Sequence, residues 1–173
     1  MNRRIFLKVG VAGAAAFAVA GWWTTLRKRP SDMSALDADA SAIVSAIVPA
    51  MLQGALPTAE AERAAAIEAT TANVDRAIRG LPPAARDELG RLFMLLALPV
   101  ARRALAGVAA PWPEAGVAEI AAFLDRWRDS GWALKRSAYD ALHQLIVAAW
   151  YGNPRAWAAI GYPGPPALDS RHG

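Results

Sequence analysis

Apolar residues recur at three- and four-residue intervals through most of the chain, and that spacing predicts helices. The first stripe is Leu36, Ala40, Ile43, Val44, Ile47, Val48, Met51 and Leu52. Ser34, three residues before Asp37, is the expected cap; Pro49 is expected to kink the last turn, and Gly54 to Pro57 to end it. Ile67, Thr71, Val74, Ile78 and Leu81 form one face of a second helix, with Glu68, Asp75, Arg76 and Arg79 opposite. Thr58 is its expected N-cap, Glu60 and Glu62 suit a positive helix start, and Gly80 closes it.

Pro82-Pro83 opens the third helix, with Pro83 in its first turn. Leu92 to Val100 is apolar almost all round, which predicts a place at the centre of the bundle. Pro99 is expected to break it, with a short helix from Ala101 to Ala106 beyond. After a loop from Gly107 to Pro113, a fourth helix is expected over Glu114 to Ser130, turning Val117, Ile120, Phe123, Leu124 and Trp127 inward. Gly131 separates it from a fifth over Ala133 to Tyr151, whose inward set is Leu134, Ala138, Leu142, Leu145, Ile146, Ala149 and Trp150. No run alternates like a strand and no internal repeat occurs. The expected fold is all-α: a five- or six-helix bundle with an aromatic, proline-rich C-terminal cap, preceded by an N-terminal signal helix.

The cap is the least ordinary stretch. Trp150 to Pro166 gathers four aromatics, three glycines and four prolines in seventeen residues. Gly152-Asn153-Pro154 stops a helix, with Gly152 expected in the left-handed cap position. Pro154 suits the start of a short helix over Arg155 to Ile160, and Gly161 to Gly164 is turn chemistry. Pro165-Pro166 favours an extended exit, so a tail is expected from about residue 161. Trp150, Tyr151, Trp157 and Tyr162 need apolar surface to cover, either the chain's own helices or a partner protein.

Residues 1–29 read as an export signal. A basic start, Met1 to Lys8, precedes an apolar run from Val9 to Leu26, and Ala18-Val19-Ala20 offers a cleavage site before Gly21. Arg3-Arg4-Ile5-Phe6-Leu7-Lys8 resembles the twin-arginine signal, with Asn2 in place of the usual Ser or Thr. That resemblance implies a route for folded cargo. A general secretory signal with a chance arginine pair is the alternative. Cleavage is the favoured fate; retention as an anchor is the other, because 18 apolar residues approach the length of a bilayer span and Trp22-Trp23 suit an interface.

Charge then changes meaning. The chain of 173 residues carries a formal net charge of +4, but six of its 19 basic residues lie in the first 29 positions, where no acid occurs. The remainder has 13 basic and 15 acidic residues, which gives no support for nucleic-acid binding. Arg102-Arg103 and Lys135-Arg136 lack interleaved aromatics and fit a solvated face or partner salt bridges. With no cysteine, disulfides, thiolate metal sites and covalent haem attachment are excluded in this chain. His143 stands three residues after Asp140, ordinary helix-surface spacing, and His172 is in the tail. No nucleophile elbow, P-loop or dinucleotide fingerprint occurs, and carboxylates are scattered. No catalytic, cofactor-binding or metal-binding residue is therefore expected.

Trp150-Tyr-Gly-Asn-Pro-x-x-Trp157-x-x-Ile-Gly-Tyr162-Pro-Gly-Pro-Pro166 is similar to the C-terminal signature of the gluconate 2-dehydrogenase subunit 3 family. The likeness extends to the twin-arginine leader and to the first body helix with Gly54-Ala55-Leu56-Pro57. The resemblance implies a non-catalytic small subunit over residues 30–173. Such a subunit escorts, helps fold and stabilises a periplasmic FAD-dependent dehydrogenase of the glucose-methanol-choline class. It implies a flavin in that catalytic partner and haem c in a multihaem cytochrome subunit that commonly takes the electrons. It further implies recognition of Arg3, Arg4, Phe6, Leu7 and Lys8 by the twin-arginine translocase, and residence in the periplasm or at the inner membrane. The residues expected to touch the catalytic partner are Trp112, Trp132, Trp157, Tyr162, Pro163, Gly164, Pro165 and Pro166. The competing expectation is a membrane-tethered helical scaffold without a redox partner.

Overall fold

The first long helix, α1 (Ala38–Met51), starts where Asp37 turns its carboxylate back onto the Ala40 amide at 2.7 Å. Asp37 itself is therefore the N-cap, satisfying one of the donors a helix start leaves free. The computed structural model describes residues 36–157 and Pro163. The expected signal over 1–29, its cleavage site, the Ser34 cap, and Tyr162, Gly164, Pro165 and Pro166 lie outside the described residues.

Helix α1 is the axis of the body. Ile43, Val44, Ile47 and Val48 are wholly buried on it. It packs against α2 (Glu60–Arg79), α3 (Pro83–Ala97), α5 (Val117–Arg128), α6 (Ala133–Tyr151) and a 3-10 turn at Trp112–Glu114. Two adjacent stripe positions per turn give α1 an apolar face wide enough to meet several neighbours. Pro49 is accommodated in the last turn of α1, and Gly54 then takes φ +84°, left-handed backbone open to glycine. Helix α2 packs on α1 and α6. Its buried threonines leave no idle hydroxyl: Thr70 Oγ1 donates to Ala66 O at 2.7 Å, Thr71 Oγ1 to Ile67 O at 2.9 Å, and Ser45 Oγ lies 3.1 Å from Thr71 Oγ1.

Helix α3 begins on Pro83 as the sequence predicts and ends at Ala97, with Leu98 extended at ψ 124° ahead of Pro99. The chain restarts as α4 (Pro99–Ala101), which runs into a π turn over Arg102–Ala106 and turns at Gly107, φ +66°. Helices α5 and α6 pack together after a short turn, and α7 (Pro154–Trp157) follows. The described residues are thus all-α, with no strand among them.

Several local expectations are corrected. Helix α2 starts on Ala59 without a side-chain cap, so Thr58 does not cap it. The expected central run is buried only at Phe93 and Leu96; Val100 is 76% exposed because Pro99 ends the helix before the stripe completes another turn. Val117 and Leu134, expected inward, are exposed. Gly152 has φ −67° and ends α6 in right-handed geometry.

Candidate interaction surfaces

The tryptophans sort into two groups, and hydrogen bonding explains the division. Trp112 is 4% exposed. Its Nε1 donates to Leu96 O at 2.9 Å, a carbonyl stranded at the end of α3 by Pro99. Trp127 Nε1 likewise donates to Leu105 O at 2.9 Å, and Arg126 donates to Ala106 O at 2.7 Å. Side chains of α5 thereby cap the end of the π turn. Between the two indoles stands Phe123, edge-on to Trp112 at 5.9 Å and to Trp127 at 4.8 Å. This aromatic row is core. Trp112 is corrected accordingly: it anchors the chain's own fold and presents no face to a partner.

Trp150 is also buried, packed within the core on the last turn of α6. Trp157 on α7 is half-buried, with Nε1 donating to Tyr151 O at 2.7 Å, while Tyr151 and Pro163 are exposed. The described start of the C-terminal signature is therefore fastened to the end of α6.

Trp132 is the opposite case, 69% exposed in the α5–α6 turn. It lies at the far end of α6 from Trp157, across 19 helical residues, about 28 Å. Its backbone N–H bonds Ser130 Oγ at 3.2 Å, and Lys135 Nζ lies 5.5 Å from its ring centre. Leu134 beside it is 79% exposed. Arg128 pairs with Asp125 at 3.0 Å and Asp129 at 3.1 Å. Its hydrogen bond and charge hold the Asp129 carboxyl below the usual carboxylate range.

Other chemistry is sparse. A groove of about 520 Å³ between α1 and α2 is lined by Leu36, Ser41, Ser45, Ile67, Thr71 and Asp75 among others. The Ser45 and Thr71 hydroxyls pair with each other, and Asp75 accepts from the Leu36 amide at 2.7 Å while pairing with Arg79. His143 is exposed and stacks on Tyr139 at 5.7 Å. Among the described residues no three His, Cys, Asp or Glu side chains converge on a metal-sized site, and no helix is long and apolar enough to cross a membrane. Arg102 is 7% exposed, with one long bond to Ala109 O at 3.3 Å and no partner for Nε among the described residues. No family model, curated protein or solved structure matches the chain.

Proposed function

We propose that the chain is the non-catalytic accessory subunit of a periplasmic FAD-dependent dehydrogenase of the glucose-methanol-choline type. It escorts that enzyme through its own twin-arginine signal, helps it fold and stabilises it. Flavin and haem c belong to the partner subunits.

The observation that carries this reading is the fastening of the signature segment to the body. Trp157 is held by its indole bond to Tyr151 O yet stays half-exposed, and Tyr151 beside it is exposed. A partly uncovered indole held by its own hydrogen bond, beside the exposed Tyr151 and followed by exposed Pro163, gives a partner an anchor with less side-chain entropy left to lose. The partner contact is placed on Trp157, Tyr162, Pro163, Gly164, Pro165 and Pro166. The scatter of titratable groups elsewhere favours a binding role over acid–base or nucleophilic work.

The test replaces Arg3-Arg4 by Lys-Lys and assays the catalytic subunit in the periplasm. The escort reading expects that subunit to be retained in the cytoplasm along with the variant. Undiminished arrival of the catalytic subunit would remove the reading.

A further inference from the structure

The α5–α6 turn exposes apolar side chains inside a cationic surround. Trp132 and Leu134, 69% and 79% exposed, stand two residues apart at the start of α6. Side chains in a first helical turn lean toward the helix N-terminus, so Leu134 and Lys135 tilt toward the turn and away from the body of α6. Residues 125–136 contain Arg126, Arg128, Lys135 and Arg136 against only Asp125 and Asp129. Both carboxylates are engaged by Arg128. Arg126 and Arg136 bond backbone carbonyls, of Ala106 and Ser130, which leaves their charge uncompensated. No acidic residue lies in the first turn of α6, whose positive end adds to the field. Between residues 36 and 157 outside this turn the balance reverses, with eight basic and eleven acidic residues.

The indole N–H completes the pattern. Among the described residues those of Trp112, Trp127 and Trp157 donate to protein carbonyls, while those of Trp132 and Trp150 have no protein acceptor, and of these two only Trp132 is exposed. Its backbone N–H is held by Ser130 Oγ, and Lys135 Nζ lies over the ring face. An amphipathic ring with a free N–H, a neighbouring leucine and flanking cations is what the headgroup layer of an anionic bilayer takes: rings at the boundary, cations on phosphates.

We propose that this turn is a membrane-surface contact, with Trp132 and Leu134 entering the interface of an anionic bilayer and Arg126, Lys135 and Arg136 meeting its phosphates. The surface is distinct from the signature segment, and the proposal does not depend on the dehydrogenase reading.

The test is hydrogen exchange on the full chain with vesicles of phosphatidylglycerol mixed with phosphatidylcholine, against vesicles of phosphatidylcholine alone. Within this stretch the amides of Gly131, Ala133 and Leu134 have no partner among the described residues and exchange readily, so cover over them is legible. The expected result is slowing over residues 129–136 by about tenfold with the anionic vesicles only, reversed by salt. The variant W132A/L134S/K135Q, altered at two exposed positions and one half-buried one, none in the core, is expected to lose that slowing with an unchanged circular dichroism spectrum. Either unchanged exchange at 129–136 in the native chain, or equal slowing in chain and variant, would overturn the proposal. Exchange at 129–136 that slows only when the dehydrogenase is added would overturn it too, and would assign the turn to a protein.

Discussion

The indole of Trp112 closes the end of a helix sixteen residues upstream, donating to Leu96 O at 2.9 Å within the core. The bond and the ring contribute separately. Trp112→Phe keeps most of the packing against Phe123 but leaves the Leu96 carbonyl without that donor, and should lower stability by about 1–3 kcal/mol. Trp112→Ala should cost about 3–5 kcal/mol. Urea denaturation of both variants checks the pair; equal, negligible losses would mean that Trp112 is not part of the core.

Gly107 is constrained twice. Its φ of +66° disfavours any side chain, and a Cβ there would stand 2.6 Å from an Arg126 guanidinium nitrogen. Gly107→Ala should destabilise by about 1–2 kcal/mol from backbone strain, with a further loss as Arg126 releases Ala106 O. In an Arg126→Ala background the same substitution should cost only the backbone part. Thermal melts of the double-mutant cycle measure the difference.

Arg102 is a buried cation whose guanidinium makes a single long hydrogen bond among the described residues. Removing a charge of this kind relieves desolvation, so Arg102→Met should be neutral or stabilising by about 1–4 kcal/mol. A large loss on chemical denaturation would show that the guanidinium has a compensating partner in solution.

Asp129 gains its low pKa from Arg128, first through the hydrogen bond and then through charge. A depressed folded pKa means that the contribution to stability is present above the unfolded pKa and fades as pH falls through the folded one. The pair is solvent-exposed, so the readable effect is the titration itself. In an NMR titration, Arg128→Ala should raise the Asp129 midpoint toward the ordinary carboxylate range.

The helices were legible where periodicity acts locally. Helix α6 runs over the predicted Ala133 to Tyr151 because its stripe is long and Gly131 and Gly152 bracket it. Proline chemistry placed the start of α3 and the break at Pro99 for the same local reason. What failed depended on distant neighbours. Leu134 continues the stripe of α6, but burial along that stripe begins only beyond it. Trp112 sits between Pro111 and Pro113 in a stretch with no period, and its burial depends on a carbonyl sixteen residues away. Spacing identifies apolar candidates and leaves open whether a given ring faces inward. Of the three tryptophans expected from the sequence at a partner contact, Trp132 is exposed, Trp157 is half-buried and Trp112 is internal.

The central claim is that this chain supplies a docking surface while another polypeptide performs the electron transfer. Its most direct measurement is size-exclusion chromatography of the chain co-expressed with the flavin dehydrogenase proposed as its partner, monitored at the flavin absorbance band. The account predicts one peak holding both polypeptides, with all flavin bound to the larger one after separation, and loss of that peak when Trp157 and Tyr162 are replaced by alanine. A chain that elutes alone beside the enzyme, or that carries flavin itself, would contradict it.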